Sequence, residues 1–387
     1  MKTSVFLYPW DVVGDPDAAA RIAGLGVQQV TLAAAYHSTR ALTPRHPRHR
    51  IVTAEHASVL YAMDEERWAG RELRPYAPGA WASADAYGEA AAALADAGLE
   101  VHSWVVLAHN SRLGADRPDT SVVNAYGDRY PWAPCIARPA VRELVVHLAA
   151  EAAARPGARG TELESCGWYG LAHLHAHDKI AGVGLGEAAQ YLMSLCFCSA
   201  CGEGYRQLGL EPSVLAAAVR GALEPVWAGE APGDASIDKL LGAELAAATL
   251  DFRTRTARTL QEDTVAAVRA AAPDGFQVLL HADPVSYHCG ANAGVDPAHI
   301  LSVADGVVVP CTGGAQLLKP FADRRGNADV LAANLTLVGG MGGSPGTLAE
   351  DAARAAERGA TELRLYHAGL ASDADLQLVA EALSRVG

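Results

Sequence analysis

Gly160-Thr161-Glu162-Leu163-Glu164-Ser165-Cys166-Gly167-Trp168-Tyr169 reads as a short buried strand that ends in carboxylates and then aromatics. Side chains alternate faces along a strand, so Glu162 and Glu164 share one face and Leu163 takes the other. Two acids on one face of an apolar run are costly to bury unless they are hydrogen-bonded or at work. Close behind follow His173, His175 and His177, then Cys196, Cys198 and Cys201.

Working outward, the same unit recurs: an apolar strand followed by a helix. Strands are expected at Ser4–Trp10, Val27–Tyr36, Val101–Ala108, 160–166, Phe276–His281, Asp305–Val309, within Ala328–Val338, and at Thr361–Tyr366. Helices are expected at Asp15–Leu25, at Ser83–Ala97 with Ser83 as N-cap, and at Pro139–Ala154. Further helices are expected over most of Ile237–Ala272, at the start of Ala328–Val338, at Ala349–Arg358 and at Asp373–Arg385. Eight such units are what a (β/α)8 TIM barrel requires, and apolar strands between helices signal a parallel sheet covered on its outside. The expected fold is therefore α/β, a single barrel domain over 1–387. Residues 168–235 form a long insertion after strand 4 that carries the His and Cys clusters. A doubly wound sheet would want a Gly-rich phosphate turn after an early strand, which is missing.

The composition is that of a globular chain, with 387 residues, 50% hydrophobic and 19% charged. The net charge of -13, with one short basic knot at Arg45–Arg50, argues against a nucleic-acid partner. No signal-peptide pattern and no membrane-length apolar run is found, so the expectation is a cytoplasmic protein without a membrane partner. A homo-oligomer is left open.

Barrel chemistry sits at the carboxyl ends of the strands. Those ends here read Trp10–Asp11, Tyr36–His37, His109–Asn110, Glu164, His281 with Asp283, Thr312 and Tyr366–His367. Polar and aromatic groups around a pair of acids suit a sugar, because Trp and Tyr stack on C–H surfaces while His, Asn and Asp bond hydroxyls. Asp11, Tyr36, His37, His109, Asn110, Trp168, Tyr169, His173, His175, His177, His281, Tyr287 and His367 are the candidate substrate-binding residues. Tyr8, Trp10 and Trp104 also fall on or next to expected strands. Cleavage of a glycosidic bond needs an acid and an ionised carboxylate. Glu164, at the mouth and close to Trp168, reads as the general acid. Asp283 reads as the second carboxylate, with Asp11 as another choice. Glu162 is either catalytic or a structural acid bonded to a neighbouring His.

Two readings compete with this one. His173, His175 and His177 with an acid would make a Zn or Mn site for a metal-dependent sugar isomerase or hydrolase. A carbohydrate-binding barrel without catalysis is the other. No organic cofactor is expected. Cys196-x-Cys198-x-x-Cys201 has spacing suited to a tetrahedral structural zinc, with Cys135 as the fourth ligand and Cys166 or Cys289 as rivals. The alternative is a set of buried free thiols.

The run Cys196-Phe-Cys198-Ser-Ala-Cys201-Gly-Glu-Gly-Tyr205-Arg206-Gln-Leu208 resembles the Cys-x-Cys-x-x-Cys, aromatic-Arg-x-Leu segment of glycoside hydrolase family 42 β-galactosidases and their barrel relatives. Leu365-Tyr366-His367-Ala-Gly369-Leu370 is similar to the last strand and turn of such barrels. The resemblance implies a structural zinc held by these thiols and one upstream Cys, matched by location to Cys135, and a small-molecule glycoside or oligosaccharide substrate. That family carries Asn-Glu at the end of strand 4 and a Glu nucleophile at the end of strand 7. Here strand 4 reads Glu162-Leu163-Glu164, and Asn334–Gly340 holds no acid. These departures point to an inverting hydrolase or a divergent relative.

Overall fold

The structure is a computed structural model and describes residues 1–171, 178–230 and 235–386. Eight strands form its centre. They are β1 (Lys2–Leu7), β2 (Gln29–Tyr36), β3 (Glu100–Val106), β4 (Ala158–Glu164), β5 (Gln277–Asp283), β6 (Gly306–Pro310), β7 (Val330–Thr336) and β8 (Glu362–Tyr366). Each pairs in parallel with the next. β8 returns to β1 with Lys2 opposite Glu362 and Val5 opposite Leu365, which closes the ring. Helices lie between the strands, so this is a (β/α)8 barrel.

Alternation along the strands sorts the core. Val5, Leu7, Val30, Leu32, Val105, Leu163, Leu280, Val307, Leu331 and Leu363 point outward to the helices and are buried. The inward rows are of two kinds. Leu279, Val308, Val330 and Ala332 fill one side with hydrocarbon. Ser4, Thr31, His102, Glu162 and Arg364 fill the other with polar groups that solvent barely reaches.

Several boundaries differ from the sequence reading. β1 stops at Leu7, because Pro9 has no N–H for the ladder and starts a turn of 3-10 helix over Pro9–Asp11. The helix expected at Asp15–Leu25 covers only Ala18–Ala23. The helix expected from Ser83 begins at Ala86, capped by Asp85, whose carboxylate accepts the Gly88 N–H at 3.2 Å. Ser83 instead donates to Glu89 at 2.6 Å. The long helix expected over 237–272 is broken at Gly242, whose φ of 86° no right-handed helix contains. The two pieces are Ile237–Leu241 and Ala243–Ala271. Residues 328–338 contain only β7; the preceding helix is Lys319–Ala322.

Loops at the carboxyl ends are long and structured. A hairpin, Thr39–Leu42 with Ile51–Ala54, follows β2. A second, Ser121–Val123 with Arg129–Pro134, follows β3. After β4 come helices Glu187–Met193, Ser199–Gln207 and Pro212–Trp227. His173, His175 and His177 lie outside the described residues. No helix among the described residues is long and apolar enough to cross a membrane.

Candidate active site

β4 carries Glu162 and Glu164 inward, as alternation requires, and then turns sharply. Ser165 has φ 56°, uncommon for a residue with a side chain. The turn is pinned by the Ser165 N–H donating to the Ala291 carbonyl at 2.8 Å and the Ala108 N–H donating to the Ser165 carbonyl at 3.1 Å. Glu164 thus emerges at a fixed place on the rim. Its Oε2 accepts the indole N–H of Trp104 at 2.8 Å, and the residue is 7% exposed.

Glu164 opens into a cleft of about 650 Å3 walled by Tyr8, Tyr36, Trp104, His281, Asn334, Thr336 and Tyr366. Among the described residues that line this cleft, it is the one carboxylate. Aromatic packing holds the walls. Tyr36 meets Trp104 edge-on at 4.6 Å, Phe6 supports Trp104 from below at 4.8 Å, and Tyr8 donates its hydroxyl to Tyr36 at 3.1 Å. Burial pushes the Tyr8 and Tyr36 phenols well above their ordinary range; nearby Tyr366 adds to both and Glu164 to Tyr36, while the bond to Tyr36 offsets part of the rise in Tyr8. Both therefore remain neutral hydroxyls. His37 stacks on Tyr36 at 4.2 Å and lies in the same cleft.

Asp283, the sequence's second carboxylate, faces a neighbouring hollow of about 470 Å3. Ala291 and Asn292 line both spaces. There Asp283 accepts the Val285 N–H at 2.8 Å and pairs with His288 Nδ1 at 3.0 Å. The bond to Asp283 raises the pKa of His288. Tyr287 lines this hollow and donates its hydroxyl to Glu187 at 2.9 Å. Tyr169 forms another wall and stacks on His109 at 4.5 Å.

Other candidates are placed elsewhere. Glu162 is wholly buried inside the barrel, where Arg364 and Thr31 bond Oε1 and His281 Nε2 stands 3.4 Å from Oε2. Burial would raise its pKa, but the charge of Arg364, and then His281, hold it down to about 2. Trp168 does not accompany Glu164. Its indole donates to the Arg253 carbonyl at 2.9 Å, and the Arg253 guanidinium covers its ring at 4.7 Å. The indole partner of the acid is Trp104. Asn110 caps the helix Ser111–Asp116, accepting the Leu113 N–H at 3.0 Å. Asp11 and His367 do not line the cleft: Asp11 borders a separate small cavity, and the His367 ring packs on the far side of a cleft wall, 4.3 Å from Tyr8. Asp11 accepts the Tyr8 N–H at 2.8 Å, and burial lifts it to about 7. His367, 0% exposed, is held down to about 3 by burial and the charge of Arg45.

Asn292, Asn334, Thr336 and Tyr366 were not among the sequence candidates. The signal was present for three of them. Asn334-Leu335-Thr336-Leu337 and Arg364-Leu365-Tyr366 alternate polar with apolar, which marks an inward polar face on strands whose outer face packs on helices.

Cys135, Cys196, Cys198 and Cys201 come together from the hairpin after β3 and the insertion after β4. All four are buried and their sulfurs lie within 4.8 Å of one another. Cys135 Sγ is 3.6 Å from Cys198 Sγ and 3.5 Å from Cys201 Sγ. Tetrahedral zinc with Zn–S near 2.3 Å sets its sulfurs about 3.8 Å apart, so the group can hold a metal ion. The N–H groups of Val123 and Cys198 both point at Cys196 Sγ at 3.5 Å, as donors to a ligating thiolate would. Neither rival joins them: Cys166 lies beside Gln261, which bonds its carbonyl, and Cys289 accepts from Arg253.

A closed eight-stranded barrel with its cleft at the carboxyl ends of the strands places this chain in the (β/α)8 class. No protein-family model and no curated protein matches the sequence. Solved structures do match the fold. α-L-Fucosidase isoenzyme 2 from Paenibacillus thiaminolyticus superimposes with a TM-score of 0.58 at 13% identity, covering 100% of this chain and 49% of its own. A GH42 β-galactosidase from G. stearothermophilus gives 0.58 at 13% identity, covering 100% and 56%. The β-galactosidase of the psychrophilic Marinomonas ef1 gives 0.57 at 11%, covering 100% and 59%. The chain thus spans about half the length of these structures.

Proposed function

We propose that this protein is a carbohydrate-active hydrolase that cleaves a glycosidic bond in the cleft, with Glu164 as general acid. The observation that carries this reading is the carboxylate of Glu164, held by an indole N–H among neutral phenols at the barrel rim. Ring faces there suit the C–H surfaces of a sugar, and Asn292, Asn334 and Thr336 suit its hydroxyls. The solved glycosidases of the same fold support the reaction class. Asp283 is the second carboxylate of this reading, reached through the adjoining hollow, so the bond cleaved would straddle the two spaces.

A panel of aryl glycosides and oligosaccharides tests the reading, with product release measured for the unmodified protein and for Asp283→Asn. Turnover that falls by about 100-fold or more in the variant is expected. A second reading, a barrel that binds carbohydrate without cleaving it, is favoured by one feature: β7 ends in Asn334 and Thr336, with no carboxylate. Saturable oligosaccharide binding in calorimetry with no product across the panel would replace the first reading by the second.

The four cysteines are proposed to hold a structural zinc, since four thiolates fill a tetrahedral shell and leave no open position. Metal analysis is expected to find one zinc per chain, retained in His177→Ala and lost in Cys198→Ser. The second variant should lose at least about 3 kcal/mol of stability, because binding energy at such sites is folding energy. Loss of the metal in His177→Ala instead would move the site to the histidines and revive the metal-dependent reading.

A further inference from the structure

Three groups inside the barrel have no task in the reading above. Glu162 sits two residues before Glu164 on the same face of β4. Its Oε1 takes an N–H from Arg364 and the Thr31 hydroxyl at 3.0 Å. Its Oε2 has no hydrogen-bond partner. Facing it at 3.4 Å is Nε2 of His281, which has none either. Two buried polar atoms left in this state are costly unless a proton lies between them. Arg364 keeps Glu162 ionised, so the oxygen has no proton to give. A bare ring nitrogen would set lone pair against lone pair. The proton therefore belongs to the imidazole.

We propose that Glu162 fixes His281 with its proton on Nε2, so that Nδ1 faces the cleft as a built-in acceptor for one hydroxyl of the substrate, next to Glu164. This deepens the glycosidase reading and rests on it for the identity of the ligand. The placement follows from the register. Leu280 of β5 pairs with Leu163 of β4, and one further step along both strands brings His281 beside Glu164. Both line the cleft. His281 is 3% exposed, and the edge of Phe6 packs against its ring at 5.8 Å, so the imidazole is held in orientation as well as in tautomer. Glu162 is then a positioning residue. The carboxylate that the sequence offered as a catalytic acid works through a histidine. A site of this kind selects strongly, because a sugar lacking the matching hydroxyl leaves a polar atom dry in the complex.

Two measurements test this. Nitrogen-15 spectra of histidine-labelled protein, with His281→Phe supplying the assignment, should show the His281 proton on Nε2 in the neutral ring. A proton on Nδ1 would overturn the proposal. This readout needs no turnover, so it stands apart from the glycosidase reading. The second uses a series of monodeoxy derivatives of whichever glycoside is cleaved. One position should cost on the order of 100-fold in kcat/KM for the unmodified protein, and less than about 3-fold in His281→Phe. The same penalties in both proteins would sink the assignment. Absence of turnover on every glycoside would count against the hydrolase reading, while the spectra still decide the tautomer.

Discussion

Replacing Arg364 by Met is expected to destabilise the fold by about 3–5 kcal/mol, more than any single change at the rim. The reason lies in what the guanidinium faces. Arg364 is 0% exposed and bonds Glu162, which is also 0% exposed, and Glu362 at 2.8 Å. Removing it leaves an ionised carboxylate in the barrel with the Thr31 hydroxyl and the His281 ring beside it but no guanidinium. Glu162→Gln should cost less, because Arg364 keeps Glu362. The double variant Arg364→Met/Glu162→Leu should recover part of the loss, since a buried pair replaced by hydrocarbon is often close to neutral. The three denaturation midpoints in urea settle the order. A midpoint for Arg364→Met equal to that of the unmodified protein would show that the pair contributes nothing. The same pair sets an acid limit. Glu162 is held from an ordinary 4.5 down to about 2, so its contribution is complete above pH 4.5 and disappears as the pH falls through 2. That contribution is on the order of 3 kcal/mol, and Glu162→Gln should flatten the stability loss in this window.

Glu164→Gln is expected to lower kcat by about 100- to 10,000-fold while leaving the fold intact. The amide still offers an oxygen to the Trp104 indole N–H, so the walls of the cleft keep their support. The diagnostic is the leaving group. A general acid matters most when the departing oxygen is basic, so alkyl glycosides should lose the full factor and dinitrophenyl glycosides far less. Equal losses on both would show that Glu164 does something other than deliver a proton. Unchanged turnover would remove it from the mechanism.

Much of the barrel was legible because each strand announces itself as an apolar run with a helix behind it. Boundaries were less so. Nothing in Ile237–Ala272 distinguishes Gly242 from a tolerated helical glycine until its φ is known. Asp85 and Ser83 are both good caps, and only geometry chooses between them. At the site, strand ends told which residues are near the rim but not which way a loop turns after it. Asp11 and His367 follow aromatic residues at strand ends and still do not line the cleft. Glu162 and Glu164 were recognised as a pair on one face. Their different fates depend on depth, and on a partner, Arg364, that lies 202 residues away in sequence. The thiol group was the reverse case, since three of its members sit within six residues of chain.

The uneven interior of the barrel constrains how it can be assembled. Strands β1 to β4 bring Glu162, and strands β5 to β8 bring Arg364 and His281. The first half alone would enclose Glu162 without its cation, whereas Arg364 in the second keeps Glu362. Cutting the chain between β4 and β5 separates Glu162 from Arg364 and His281 and gives the two fragments an electrostatic reason to recombine. A barrel lined wholly by hydrocarbon would lack that mutual dependence.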